Sequence, residues 1–140
     1  MTQQDFHALG ASESVCRALE TRAIRHPFQI QALVVPEALH GGDVLAKSPT
    51  GSGKTLAFAI PIVERVDLEA QKPGALILVP TRELAAQVTE ELELIAPAGM
   101  HVVSVYGGVP LGRQAQAAKR AHVLVATPGR LQDLVDRRLL

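Results

Sequence analysis

The sequence predicts an α/β protein built on a mostly parallel sheet, and three observations lead there. Helix-patterned and strand-patterned segments alternate along the chain. The run Ala75 to Val79 is continuously apolar, as expected of a strand buried on both faces. The turns after the strand-like runs carry Gly, Pro and Thr, residues that stop a strand and open a helix. With 140 residues, 47% of them apolar and 20% charged, the chain is globular in composition and long enough for one domain with a real core.

The elements follow in order. Ser12 is placed to cap a helix that carries Val15 and Leu19 on one face. Gln29 to Leu39 reads as a second helix, bent or shortened by Pro36. Gly41 and Gly42 make a turn, and Asp43 to Ala46 enter a short strand leading into a Gly-rich loop. Lys54 to Val66 reads as an apolar helix kinked at Pro61. Beyond the strand at Ala75 to Val79, Thr81 caps a helix whose Leu84, Val88, Leu92 and Ile95 recur at helical spacing. Val102 to Tyr106 is a strand, Leu111 to Arg120 a helix and His122 to Ala126 a strand. Thr127 followed by Pro128 pairs an N-cap with proline at the first helical position, and the last helix runs to about Arg138.

Charge and cysteine usage exclude several classes. Fourteen basic and fourteen acidic residues give zero formal charge, so nucleic acid can be held only by a local basic patch and not by an overall field. Cys16 is the sole cysteine, which rules out an internal disulfide, fits a reducing cytoplasm and assigns that side chain to helix packing. The five histidines show no metal-ligand spacing. The start, Thr2-Gln3-Gln4-Asp5, is no signal peptide, and no apolar run approaches the roughly 18 residues of a membrane span, so no membrane partner is expected.

Ser48-Pro49-Thr50-Gly51-Ser52-Gly53-Lys54-Thr55 matches the phosphate-binding P-loop, with Ser48 where the general pattern has Gly. Gly51 and Gly53 let successive backbone N–H groups turn inward on phosphate oxygens. The helix opening at Lys54 adds the positive end of its dipole. Lys54 is placed for the β and γ phosphates and the Thr55 hydroxyl for Mg²⁺. These two residues are the catalytic candidates, and a Gly-Ser turn without ligand is the alternative that the strand–loop–helix context disfavours.

Ala23-Ile24-Arg25-His26-Pro27-Phe28-Gln29-Ile30-Gln31 resembles the Q motif of DEAD-box RNA helicases, upstream of the P-loop as in that family. The Gln31 amide offers a donor beside an acceptor, which suits adenine N6 and N7 and rejects guanine. The resemblance also implies that Phe6, seventeen positions before Ala23, stacks on adenine, and that Ile24 and His26 line the base pocket. The alternative for Phe6 is a hydrophobic anchor. Ala23 stands for the usual Gly and Phe28 for the usual Thr, and Ile24 is not aromatic.

Pro80-Thr81-Arg82-Glu83-Leu84-Ala85 resembles the family's motif Ia and Thr127-Pro128-Gly129-Arg130 its motif Ib, with Gly107-Gly108 the glycine pair between them. The resemblance places RNA on Pro80, Thr81, Arg82, Gly107, Gly108, Thr127, Pro128, Gly129 and Arg130, through phosphate and sugar and without base reading. Lys119-Arg120 and Arg137-Arg138 read as solvated surface.

What this implies is a RecA-like P-loop three-layer sandwich, C-terminally incomplete, occupying residues 1–140 as part of a first motor domain with its Q-motif region at 6–31. The cofactors are ATP and Mg²⁺, the partner is RNA, and the location is cytoplasmic. The family's Asp-Glu-Ala-Asp string does not occur within these residues, nor does a second RecA-like domain. The 140 residues alone are therefore expected to turn over no ATP, and to be marginal or self-associating. Two other readings stay open: a related DNA helicase or translocase, and a non-catalytic nucleotide- or RNA-binding module.

Overall fold

Several helices here start where a side chain accepts from one of the first free N–H groups. The computed structural model describes residues 5–49 and 53–140. Helix α1, Phe6–Leu9, is only four residues long and was not foreseen from sequence. It exists because Asp5 accepts from the Ala8 N–H at 2.8 Å and Gly10 closes it in the left-handed region. Helix α2, Glu13–Thr21, is capped by Ser12, whose hydroxyl accepts from Val15 N–H at 3.3 Å, and it buries Val15 and Leu19 as its pattern requires. Helix α3, Gln29–Leu39, has the expected bounds and runs through Pro36 without being shortened. Helix α4, Lys54–Arg65, likewise runs through Pro61 and buries Leu56, Ala57, Ala59, Ile60 and Val63.

The end of α2 is a local conflict. Ile24 N–H reaches back to Leu19 C=O at 2.9 Å and Ala23 N–H to Glu20 C=O at 2.8 Å, the pair of hydrogen bonds that ends many helices around a left-handed residue. That residue is Ala23, at φ +61°. A Cβ in this region costs about 1–2 kcal/mol, partly offset by the smaller unfolded-state entropy of Ala relative to Gly, about 0.4–1 kcal/mol. Ala23→Gly is therefore expected to stabilise the protein by about 0.5–1 kcal/mol, read as a higher denaturant midpoint at unchanged slope.

One expected element is absent. Residues 43–46 form no strand, Val44 is exposed and Leu45 is fully so. A strand is a pairing and not a property of one segment, and among the described residues no ladder runs beside this one.

The sheet has three strands, β1 (Ala75–Leu78), β2 (Val102–Val105) and β3 (Val123–Ala126), all parallel, in the order β1-β3-β2. Between them in sequence lie α5 (Arg82–Ile95) and α6 (Leu111–Lys119), and α7 (Pro128–Asp136) follows β3. β3, the central strand, is buried at every position. On one face Leu124, Ala126 and Val105 form a core with Ala115 and Ala118 of α6 and Leu134 of α7. Leu76 and Leu78 of β1 stand in register with Leu124 and Ala126, yet they are 50% and 53% exposed. The expectation that this strand is buried on both faces is thus corrected: the cover over β2 and β3 stops short of β1. His122 ties the starts of the strands together. Its Nδ1 accepts from His101 N–H at 2.8 Å, its Nε2 faces Leu68 C=O at 2.9 Å, and its ring stacks on that of His101.

The contacts divide the chain into two compact units. One runs through Arg65 and includes Leu94–Pro97; the other takes Val66–Glu93 and Ala98–Leu140. The first holds the Gly-rich loop and α1 to α4, the second the sheet. Among the described residues no helix is long and apolar enough to cross a membrane.

Candidate nucleotide and nucleic-acid sites

In the first unit the phosphate loop is described at Ser48, Pro49, Gly53, Lys54 and Thr55, while Thr50, Gly51 and Ser52 lie outside the described residues. Gly53 sits at φ +81°, immediately before α4. Its carbonyl takes two donors, Ala57 N–H at 3.3 Å, which begins the helix, and Gln31 Nε2 at 3.1 Å. The other end of the Gln31 amide accepts from Phe28 N–H at 2.9 Å. Gln31 is 2% exposed. One buried amide therefore caps the start of α3, whose N-cap Phe28 has no polar side chain to do so, and pins the loop glycine 22 residues away. A Cβ on Gly53 would collide with Gln31 Nε2 and come within 2.7 Å of the Phe28 ring. Lys54 is exposed at the first turn of α4, with Thr55 half-buried beside it.

The other base-pocket candidates separate. His26 is exposed and Ile24 half-buried. Phe6 is 3% exposed, in the core of its unit, the position of an anchor; no ring face is open to a base in this arrangement. A cleft of about 470 Å³ opens between the start of α3 and the approach to the phosphate loop, lined by Phe28, Gln29, Ile30, Leu33, Lys47, Ser48 and Pro49. Phe28, 57% exposed, is the open aromatic ring here, and sequence reasoning passed over it as a departure from pattern. Its exposure beside the loop could not be read from the string, because it depends on how α3 enters.

Among the described residues no group of three or more His, Cys, Asp or Glu could hold a metal ion. Thr55 offers a single hydroxyl. Mg²⁺ wants six oxygens and keeps its waters, so this donor set fits an ion arriving on phosphate and not one held by these side chains alone.

In the second unit, the parallel register brings the ends of three strands to one rim. Thr81 caps α5 through its hydroxyl, which accepts from Leu84 N–H at 3.2 Å. Pro80, Thr81 and Arg82 are exposed, as are Gly107, Gly108, Pro128 and Gly129. The Arg82 guanidinium lies over the Tyr106 ring, 4.8 Å from its centroid. Gly108 is left-handed at φ +87°, and a Cβ there would stand 3.6 Å from Arg82 Nη1. Thr127 has cap geometry but makes no side-chain cap bond. Arg130 is turned inward: its side chain is 11% exposed, and Nη1 donates to Val109 C=O at 2.9 Å and to Gln114 Oε1 at 2.8 Å. Gln114, which the sequence did not single out, also accepts from Tyr106 N–H at 3.2 Å. The available signal was a glutamine on the otherwise small, apolar face of α6, alongside Ala115 and Ala118. Lys119, Arg120, Arg137 and Arg138 are all exposed.

A helix led by lysine and entered through a left-handed glycine is how a P-loop domain meets phosphate, and with the parallel sheet it sets this chain among RecA-like α/β domains. The sequence profile of the DEAD/DEAH box helicases matches residues 28–140, and the chain belongs to that family. It is 44% identical over 137 residues to the DEAD-box ATP-dependent RNA helicase CshA of Geobacillus kaustophilus and 39% identical over 140 residues to CshA of Bacillus cereus. These matches cover 96% of this chain and 29% and 26% of those proteins, so the chain spans under a third of such relatives. Among solved structures it is similar to a DEAD box protein of Methanococcus jannaschii, with TM-score 0.92, 37% identity and coverage of 97% of this chain and 38% of that one. A hypothetical ATP-dependent RNA helicase of Sulfolobus tokodaii gives TM-score 0.84 at 35% identity, covering 92% and 38%.

Proposed function

We propose that these residues are the ATP-binding front part of the first motor domain of an RNA helicase that clamps RNA and opens short duplexes locally. The observation that carries the reading is the Gln31–Gly53 bond, which joins the adenine-reading segment to the phosphate loop through one buried amide. Lys54 supplies a mobile positive charge to the β and γ phosphates, and the first free N–H groups of α4 face the same charge. Gln31 Oε1 and Nε2 each carry one bond already, to Phe28 N–H and Gly53 C=O, and the residue is 2% exposed. Its reading of adenine therefore requires the neighbouring cleft at Phe28 to open onto the second N–H and second lone pair of the amide. Mg²⁺ bound on the phosphates, with Thr55 as one ligand, would neutralise charge developing there.

RNA is held on the strand-end rim by Thr81, Arg82 and the N–H groups of Gly107, Gly108 and Gly129, which contact phosphate and sugar and so bind without regard to sequence. ATP and RNA each favour the same closed arrangement of the longer protein, which couples them. The experiment is binding of ATP, GTP and single-stranded RNA by the full-length protein, with Lys54→Ala and Arg82→Ala. Lys54→Ala is expected to weaken ATP at least about tenfold, the size of a lost charge-assisted bond. Arg82→Ala is expected to weaken RNA and to lower the salt slope by about one. Equal affinity for GTP and ATP would overturn the assignment of the base.

A further inference from the structure

We propose that Gln114 is a positioning residue for the RNA-contacting loop, holding Gly107-Gly108 in place from behind without touching RNA. This rests on the reading of the strand-end rim as the RNA face. The two glycines lie between Tyr106 and Val109, and both flanks are tied down by one pair of side chains. Gln114 Oε1 accepts from Tyr106 N–H at 3.2 Å and from Arg130 Nη1 at 2.8 Å, while Arg130 Nη1 also donates to Val109 C=O at 2.9 Å. Both partners of Oε1 are donors only, so the atom at that position must be the amide oxygen.

The network is largely withdrawn from water: Gln114 is buried, and the Arg130 side chain is only 11% exposed. Each bond is therefore costly to leave unmade. A glycine pair has the widest backbone freedom of any dipeptide and Gly108 already occupies the left-handed region, so without such anchors its N–H groups would not hold one direction. The Tyr106 ring in turn carries the Arg82 guanidinium. Gln114 thus sets the aim of the loop amides.

The test uses the full-length protein, a fluorescein-labelled single-stranded RNA, and binding read by anisotropy across a salt series. Gln114→Met keeps length and removes both acceptor bonds. It is expected to weaken RNA about tenfold with no change in salt slope, because no phosphate-contacting charge is lost. Gln114→Glu keeps an oxygen facing both donors and is expected to stay within about threefold of wild type. Exchange of the Tyr106 amide with solvent should rise in Gln114→Met and not in Gln114→Glu, and ATP affinity should hold in both. If Gln114→Met does not fold, Gln114→Asn takes its place, since its amide falls short of both donors, and the same results are expected. Wild-type RNA affinity in Gln114→Met or Gln114→Asn, with Arg82→Ala weakened, overturns the positioning role alone. Wild-type affinity in Arg82→Ala as well overturns the RNA reading of this rim and the inference with it.

Discussion

Gly53→Ala in the full-length protein is expected to lower ATP affinity about 100-fold while leaving most of the fold intact, as measured by titration with a fluorescent ATP analogue. Two costs fall on one atom. The backbone at φ +81° disfavours any L side chain. The new methyl also occupies the space of Gln31 Nε2 and presses on the Phe28 ring, so the glutamine must leave the Gly53 carbonyl or the loop must move. Either response shifts the N–H groups at the start of α4, the place proposed for the phosphates. Loss of affinity for ATP and ADP alike is the pattern that follows, and unchanged affinity for both would contradict it.

Gln31→Glu is expected to be the more damaging change at its position, and Gln31→Met the milder one, although glutamate is the closer isostere. The Phe28 N–H still finds an oxygen in the glutamate variant. The other oxygen, however, faces the Gly53 carbonyl across the 3.1 Å now spanned by a hydrogen bond, with no proton between them. A carboxylate buried this way is expected to cost about 3–5 kcal/mol of stability, against about 1–3 kcal/mol for the methionine variant, which only leaves polar groups unpaired. Denaturant unfolding of both variants at neutral pH decides the order. Equal stability would mean that the Gln31–Gly53 bond is not maintained in solution.

The helices were legible because their signals are local. Ser12, Thr81 and the Thr127-Pro128 step each mark a start within a few residues, and α3 has the bounds its sequence suggests. What escaped depends on partners distant in the chain. Residues 43–46 have a strand-like composition and no strand, because pairing needs a neighbour. The apolar run of β1 promised burial on both faces, but Leu76 and Leu78 lie beyond the cover that α6 and α7 give β2 and β3. Helix α1 is too short for periodicity to register. In the candidate site, the closeness of Gln31 to the phosphate loop accords with the order of motifs, whereas the inward turn of Arg130 does not follow from its motif. That turn is decided by Gln114 on another helix and by the carbonyl of Val109. The burial of Phe6 and the exposure of Phe28 likewise come from helix entry geometry and not from spacing.

The common direction of the three strands separates two kinds of tolerance. At their leading ends an imidazole, His122, straps the 101 and 68 backbones to the sheet, and nothing in the proposed chemistry lies there. At their trailing ends sit the residues assigned to ligand. Sequence variation at the first rim should register as melting temperature, and variation at the second as affinity. A fluorophore or fusion partner attached near Gly99, in the loop entering β2, would therefore sit at the end of the sheet opposite the proposed RNA-contacting residues.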